Sequence, residues 1–309
     1  MAPRGEAATS DPKPAFHGKA NMSRKPVLSL VSGQPTQDGN QVPLTRLVPG
    51  QGQRGDAAFQ AMDPFLLMDH FGPMVLPPGS DAGFPPHPHR GFQTLTYLIQ
   101  GAFRHRDSTG GAGLLRPGGA QLMNAGAGIV HEEMPVPEHL ETGGPIEGVQ
   151  LWINLPAADK GSRPGFTDLQ PETMPWQPLA GGRLRALAGR WLGQEGPART
   201  PARIAYAHLE LQPGARFQQP LPGAWTAAVA VLHGAVQIGG RELAADHLGL
   251  LGLDGDELHL GSREGASLMI LAGEPLAEPI AHHGPFVMNT RHEIEQAFAD
   301  YQAGRMGRL

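Results

Sequence analysis

The 309-residue sequence contains no cysteine. Disulfides, thiolate metal sites and cysteine nucleophiles are therefore excluded, and any metal must be held by nitrogen and oxygen ligands. No cluster of lysine and arginine stands out, and the formal net charge is -5, so direct contact with a nucleic-acid backbone is not expected as the main activity. No apolar run approaches the length of a membrane span, and the leading residues lack the apolar core of a secretory signal. Together these absences make a cytoplasmic location, with no membrane partner, the expectation. What the chain has in abundance is glycine, 43 residues, and proline, 31 residues, spread between short apolar runs. That pattern calls for many turns and hence many short strands. Length and a 40% hydrophobic content suit two domains, each able to bury a core.

Residues 1–26 are polar and rich in Ala, Pro and Ser, and are expected to form a disordered extension, with Met22-Ser23-Arg24-Lys25 reading as a second start. A first unit over 27–156 opens with strand-like runs at 27–31 and 42–48 and a dense apolar stretch at 63–71, whose His70 reads as structural. A meander follows, with candidate strands at 94–99, 102–106, 113–116, 120–124, 129–133 and 148–155. The turn signals between them include Gln100-Gly101, Gly110-Gly111 and Pro117-Gly118-Gly119. Such regular spacing predicts an antiparallel sandwich or barrel. Residues 157–200 read as a connection carrying one strand at 183–187. From 201 to 309 the pattern repeats, with strands at 204–211, 227–232, 235–238, 248–253 and 267–272, so the chain reads as an all-β duplication of one module. One helix is predicted over 291–301. Its residues Ile294, Ala297, Phe298 and Tyr301 recur at helical spacing, Asn289 or Thr290 serves as N-cap, and its apolar stripe should pack on a barrel.

Two stretches carry the chemistry: Phe84-Pro85-Pro86-His87-Pro88-His89-Arg90-Gly91-Phe92 and Gly128-Ile129-Val130-His131-Glu132-Glu133-Met134-Pro135. Each offers two metal-competent side chains two residues apart, and on a strand such residues share one face. If the two dyads face one another inside a barrel, His87, His89, His131 and Glu133 supply three imidazoles and one carboxylate to one ion. Glu132 then points the other way, as a surface or structural acid. His105 and His139 read as surface residues. The second half has no counterpart. After Pro213-Gly214 comes Ala215-Arg216-Phe217-Gln218-Gln219, and His208, His233, His247 and His259 lack dyad spacing, so that module reads as structural or interacting.

The order of these features resembles the two cupin motifs, and the chain from about residue 27 resembles the pirin family in particular. The segments that carry the likeness are Asp63-Pro64-Phe65-Leu66-Leu67, the two dyad stretches, Leu151-Trp152-Ile153-Asn154-Leu155, Gly273-Glu274-Pro275-Leu276 and His283-Gly284-Pro285-Phe286-Val287-Met288-Asn289-Thr290. The resemblance implies two cupin-type β-barrels (a bicupin) with a short C-terminal helix. It also implies a single metal, most often iron, in the first barrel on His87, His89, His131 and Glu133. Three imidazoles and one carboxylate suit Fe(II) or a similar first-row ion and leave positions open for water, dioxygen or substrate. The remaining positive charge should attract an enolate- or phenolate-type group. Gln93, at the same strand parity as His87 and His89, departs from the family, where Glu is common, which strengthens Glu133 as the carboxylate and leaves the tuning around the metal open.

The activity this implies is of the quercetin 2,3-dioxygenase type, with dioxygen as co-substrate and a small aromatic or flavonol-like substrate. Glu133 would be the general base, and Phe92, Leu95 and Met123 are candidate pocket lining. The alternative is a redox-sensing regulator that docks a protein partner through a non-catalytic iron site. An open cleft to His87 and Glu133 would favour the enzyme, and a closed chamber the sensor. A monomer is expected.

Overall fold

Short apolar runs punctuated by glycine become antiparallel strands, several of them buried on both faces. The computed structural model describes residues 23–53 and 55–309. The first barrel packs a seven-stranded sheet against a four-stranded one. The larger sheet runs, in spatial order, Gly165–Leu169, Ala120–Asn124, Phe92–Gln100, Gly144–Asn154, Phe65–Leu76, Val42–Val48 and Gln34–Asp38. The smaller runs Phe84–His89, Ile129–Pro135, Phe103–Asp107 and Ala112–Leu115. The second barrel is built on a ten-stranded sheet. Its path runs Val27–Ser32, His247–Leu251, Thr226–Ile238, Ala266–Gly273, Ile204–Leu211, Gly182–Ala188 and Gln177–Leu179, and Arg216–Pro220 pairs with Glu257–Gly261 beside it. Among the described residues, no helix is long and apolar enough to cross a membrane.

The chain crosses between barrels more often than the sequence division suggests. Val27–Ser32, read as the opening of the first unit, pairs with His247–Leu251 of the second. The stretch read as a connection contributes Gly165–Leu169 to the first sheet and Gly182–Ala188 to the second. Each of these strands covers a sheet edge that would otherwise present unpaired backbone groups. The expected extension over 1–26 and the start at Met22 fall, through residue 22, outside the described residues. Its last residues are ordered, because the buried Lys25 ammonium donates to the carbonyls of Gly223 (2.7 Å), Trp225 (3.3 Å) and Gly252 (3.1 Å).

The barrels share one apolar seam. Leu95, Tyr97, Leu151 and Ile153 of the first interleave with Tyr206, Ala228, Leu248 and Leu271 of the second. The interior of the second barrel is a dense apolar cluster that includes Leu209, Phe217, Val229, Val231, Leu258, Leu260 and Ile270. The first barrel has an apolar end, with Leu44, Phe71, Leu98 and Phe103, and a polar end described below.

The C-terminal segment returns to the first barrel. Its helix, Arg291–Gln302, begins with a capping box in which Thr290 accepts from the Glu293 N–H and the Glu293 carboxylate accepts from the Thr290 N–H, so Thr290 is the cap. Ile294 and Ala297 pack with Phe286 and Met288 against Val130, on the outer side of the strand that carries His131. Two further short helices, Gly55–Ala61 and Pro137–Thr142, were not legible in the periodicity.

Candidate metal centre

Ile129–Pro135 lies antiparallel to Phe84–His89, with His131 opposite His87 and Ile129 opposite His89. Alternation sends Val130 outward to the C-terminal helix and His131 inward. The His87, His89 and His131 rings converge, with centroids 4.7 Å apart for His87–His89, 4.3 Å for His87–His131 and 5.1 Å for His89–His131. One ligating nitrogen from each lies within 4.8 Å of the others.

Hydrogen bonds prepare two of these rings for coordination. His87 Nδ1 donates to the Pro85 carbonyl at 2.8 Å and His89 Nδ1 to the Pro285 carbonyl at 3.3 Å. A carbonyl can only accept, so both rings carry their proton on Nδ1 and keep the Nε2 lone pair free. Burial, and then the neighbouring imidazoles, hold the pKa of His89 and His131 well below the usual histidine range, which keeps them neutral. Both ring nitrogens of His131 are buried without a hydrogen-bond partner. Leaving such atoms unpaired is costly, and a cation held by the three imidazoles removes the cost at one of them. The residues therefore fit a first-row metal.

Glu133 lines the same cavity as His87 and His89 but stands outside the three-histidine group. The pairing with Phe84–His89 shifts register between His131 and Glu133. The Glu133 carboxylate is buried and accepts from Thr96 Oγ1 (2.9 Å) and Gln150 Nε2 (2.9 Å). Glu132 points away and accepts from Arg106 Nε at 2.7 Å, as a structural acid.

The expectations for His105 and Gln93 need correction. His105, read as a surface residue, is 2% exposed. Phe103, His105 and Asp107 alternate inward on their strand, where His105 bonds Asp107 Oδ2 (3.1 Å), meets Phe166 and lies 5.4 Å from the His131 ring. Gln93 does not share a face with His89: Gly91, at a φ of 88°, ends one sheet and begins the other, so strand parity is not carried across it. Paired opposite Ile153, Gln93 lies on the face of Leu95 and Tyr97, toward the second barrel, while Thr96 looks at Glu133.

The cavity over the histidines measures about 580 Å³, within the range of small-molecule sites. Phe92, Leu95 and Met123 do not line it; they are buried in three separate core clusters. Its apolar wall is Leu44, Phe59, Leu67, Phe71, Phe84 and Trp152. Trp152 stacks on Phe92 at 4.2 Å and meets His89 edge-on at 5.1 Å. Gln150 and Trp152 were missed, although the Gln150-Leu151-Trp152 alternation on a strand pairing with 94–96 is the signal that could have found them.

The second half of the chain completes the site. His282, Gly284 and Pro285 line the cavity. The buried Lys160 ammonium ties this strap down by donating to the carbonyls of Gly91 (2.7 Å) and Val287 (3.1 Å) and to Asn154 Oδ1 (2.6 Å). Burial pushes its pKa down to about 8. A β-carbon at Gly91 would lie 1.9 Å from the Val287 carbonyl oxygen, so only glycine lets the strap pass there.

Comparison with known proteins places this geometry in a family. The family model for pirin matches residues 47–153, and that for the pirin C-terminal cupin domain matches residues 206–307. A Pseudomonas aeruginosa protein, named provisionally as a quercetin 2,3-dioxygenase, is 42% identical over 90% of this chain and 96% of its own length. Human pirin is 37% identical over 82% of this chain and 86% of its own. The crystal structure of a quercetin 2,3-dioxygenase from Acinetobacter baumannii superposes with a TM-score of 0.87 at 35% identity, covering 92% of this chain and 99% of that one.

Proposed function

The chain belongs to the pirin family, and from that premise we propose that it is a metal-dependent dioxygenase able to open flavonols such as quercetin. The observation that carries the proposal is the set of three convergent imidazoles, one with both nitrogens unpartnered, at the base of an aromatic-walled cavity. His87, His89 and His131 would hold the metal, with Fe(II) the ion best suited to the donor set, and Glu133 is the carboxylate available as fourth ligand. When bound, the ion supplies a Lewis acid that acidifies a substrate hydroxyl and a redox centre for reaction with dioxygen.

The chain's own residues do the rest. Phe59, Phe84 and Trp152 offer flat apolar faces to a fused aromatic substrate. The Glu133 carboxylate is positioned to accept the hydroxyl proton, and its bonds from Thr96 and Gln150 fix its orientation while leaving lone pairs for that proton. The strap through Pro285 keeps His89 in the tautomer that coordinates. His87 lines the cavity and is partly exposed, which supports turnover over a sealed sensing chamber.

The test is metal analysis and quercetin-dependent oxygen consumption for wild type, His89→Ala and Glu133→Ala. Wild type loaded with Fe(II) should consume quercetin and oxygen, and His89→Ala should lose both metal and turnover. Stoichiometric metal at this centre in His89→Ala would refute the ligand assignment. No turnover by a fully loaded wild type, across several metals, would refute the activity.

A further inference from the structure

His70, read from the sequence as a structural residue, has two chemical neighbours that sequence spacing does not reveal. His70 Nε2 lies 3.2 Å from Glu147 Oε1, and His233 Nε2 lies 2.5 Å from the same oxygen. One ligating atom from each of the three falls within 4.8 Å of the others. His70 and Glu147 belong to the first barrel and His233 to the second.

We propose that His70, Glu147 and His233 form a second divalent-cation site, of the zinc type, that joins the two barrels. Two imidazoles and one carboxylate are a familiar zinc ligand set, with the fourth position left to water. Around a tetrahedral zinc with ligands at about 2.0–2.2 Å, adjacent ligand atoms lie about 3.3 Å apart. The His70–Glu147 pair already has that spacing. The His233 ring has to withdraw by about 0.8 Å to match it, and its side chain, 46% exposed, is the one with room to move.

The surroundings are those of a ligand set rather than of a chance contact. Metal-bound histidine usually donates its other N–H to a carboxylate, and a ligating carboxylate is itself hydrogen-bonded. Here His70 Nδ1 faces Asp246 Oδ1 at 3.4 Å, and Glu147 Oε2 accepts from Gln100 Nε2 at 3.1 Å. Asp246 lies in the turn between Arg241–Ala244 and His247–Leu251, with a backbone φ of 59°. Register shifts fall beside Glu147 in both of its ladders and beside His233 in its own, the kind of irregularity that re-aims side chains next to sites. A dication also balances the two carboxylates when both imidazoles are neutral.

The test uses the full chain, stripped by chelator and dialysed against zinc(II) alone. Wild type should retain one equivalent more than His233→Ala, and zinc should raise its Tm by several degrees more. His131→Ala should keep this equivalent, so the result is independent of the dioxygenase centre. Because His233 is half-exposed, its alanine variant should fold even if Glu147→Gln does not. Equal zinc content in wild type and His233→Ala would overturn the proposal, as would the loss of all zinc in His131→Ala.

Discussion

The two barrels share an architecture and differ in what fills them. In the first, Phe84–His89 pairs with Ile129–Pro135 and turns His87, His89 and His131 inward. In the second, the corresponding pair is Arg216–Pro220 with Glu257–Gly261, and the side chains turned inward are Phe217, Gln219, Leu258 and Leu260, with no histidine among them. That strand has a histidine, but His259 sits between the two leucines and faces outward to Glu257. One residue of parity decides whether a histidine meets the interior or solvent. The second barrel is therefore a packed core, and the first has exchanged part of its core for a polar chamber. The histidines of the second are used elsewhere: His208 and His233 reach the seam with the first barrel, and His247 bonds Ser32.

The largest expected effect comes from making the first barrel resemble the second. His131→Leu places an apolar side chain where the second barrel has leucine. It should abolish metal retention at this centre and lower quercetin turnover by at least about 100-fold, since loss of even an outer hydrogen-bonding partner of a ligand typically costs 10–100-fold. The metal-free variant should be at least as stable as metal-free wild type, because an unpaired buried imidazole has been replaced by an apolar group. Metal analysis, oxygen consumption and urea unfolding on the same preparations check all three.

The asymmetry explains what was legible in the sequence. The three histidines were readable because strand alternation is local and each dyad lies within one strand. The alternation that turns Phe217, Leu258 and Leu260 inward in the second barrel is local in the same way. Gln93 was misplaced because parity was carried through Gly91, where the chain changes sheets. The cavity wall was missed because Phe59, Trp152 and Pro285 come from segments far apart in sequence that meet only in the folded chain. The same distance hid the partners of His70: Glu147 and His233 reach it from another strand and another barrel.

A second comparison concerns how each barrel treats a buried histidine. His208, held by the Tyr97 hydroxyl (3.1 Å) and the Ser267 hydroxyl (2.8 Å), is kept neutral by burial, which pushes its pKa down to about 4. Unfolded, it titrates near 6.5, so between pH 6.5 and 4 the unfolded chain binds the extra proton. Stability should therefore fall as pH drops through that window, by about 3 kcal/mol from this group, and be insensitive to it above pH 6.5. His208→Gln, which can still bond both hydroxyls, should flatten the acid limb of urea-unfolding stability by that amount. An unchanged acid limb would mean that the seam histidine is not held neutral.

The smallest effect should come from the helix that links the halves. Thr290→Ala removes the cap of Arg291–Gln302, whose stripe covers Val130 on the outer side of the metal strand. The loss should be about 1 kcal/mol, typical of a threonine N-cap. It should leave metal content unchanged, because the inward face of the strand is fixed independently by its pairing with Phe84–His89 and Phe103–Asp107. Stability from thermal unfolding and metal analysis separate the two faces. A variant that loses metal along with its cap would show that the C-terminal helix, and not the sheet alone, sets the position of His131.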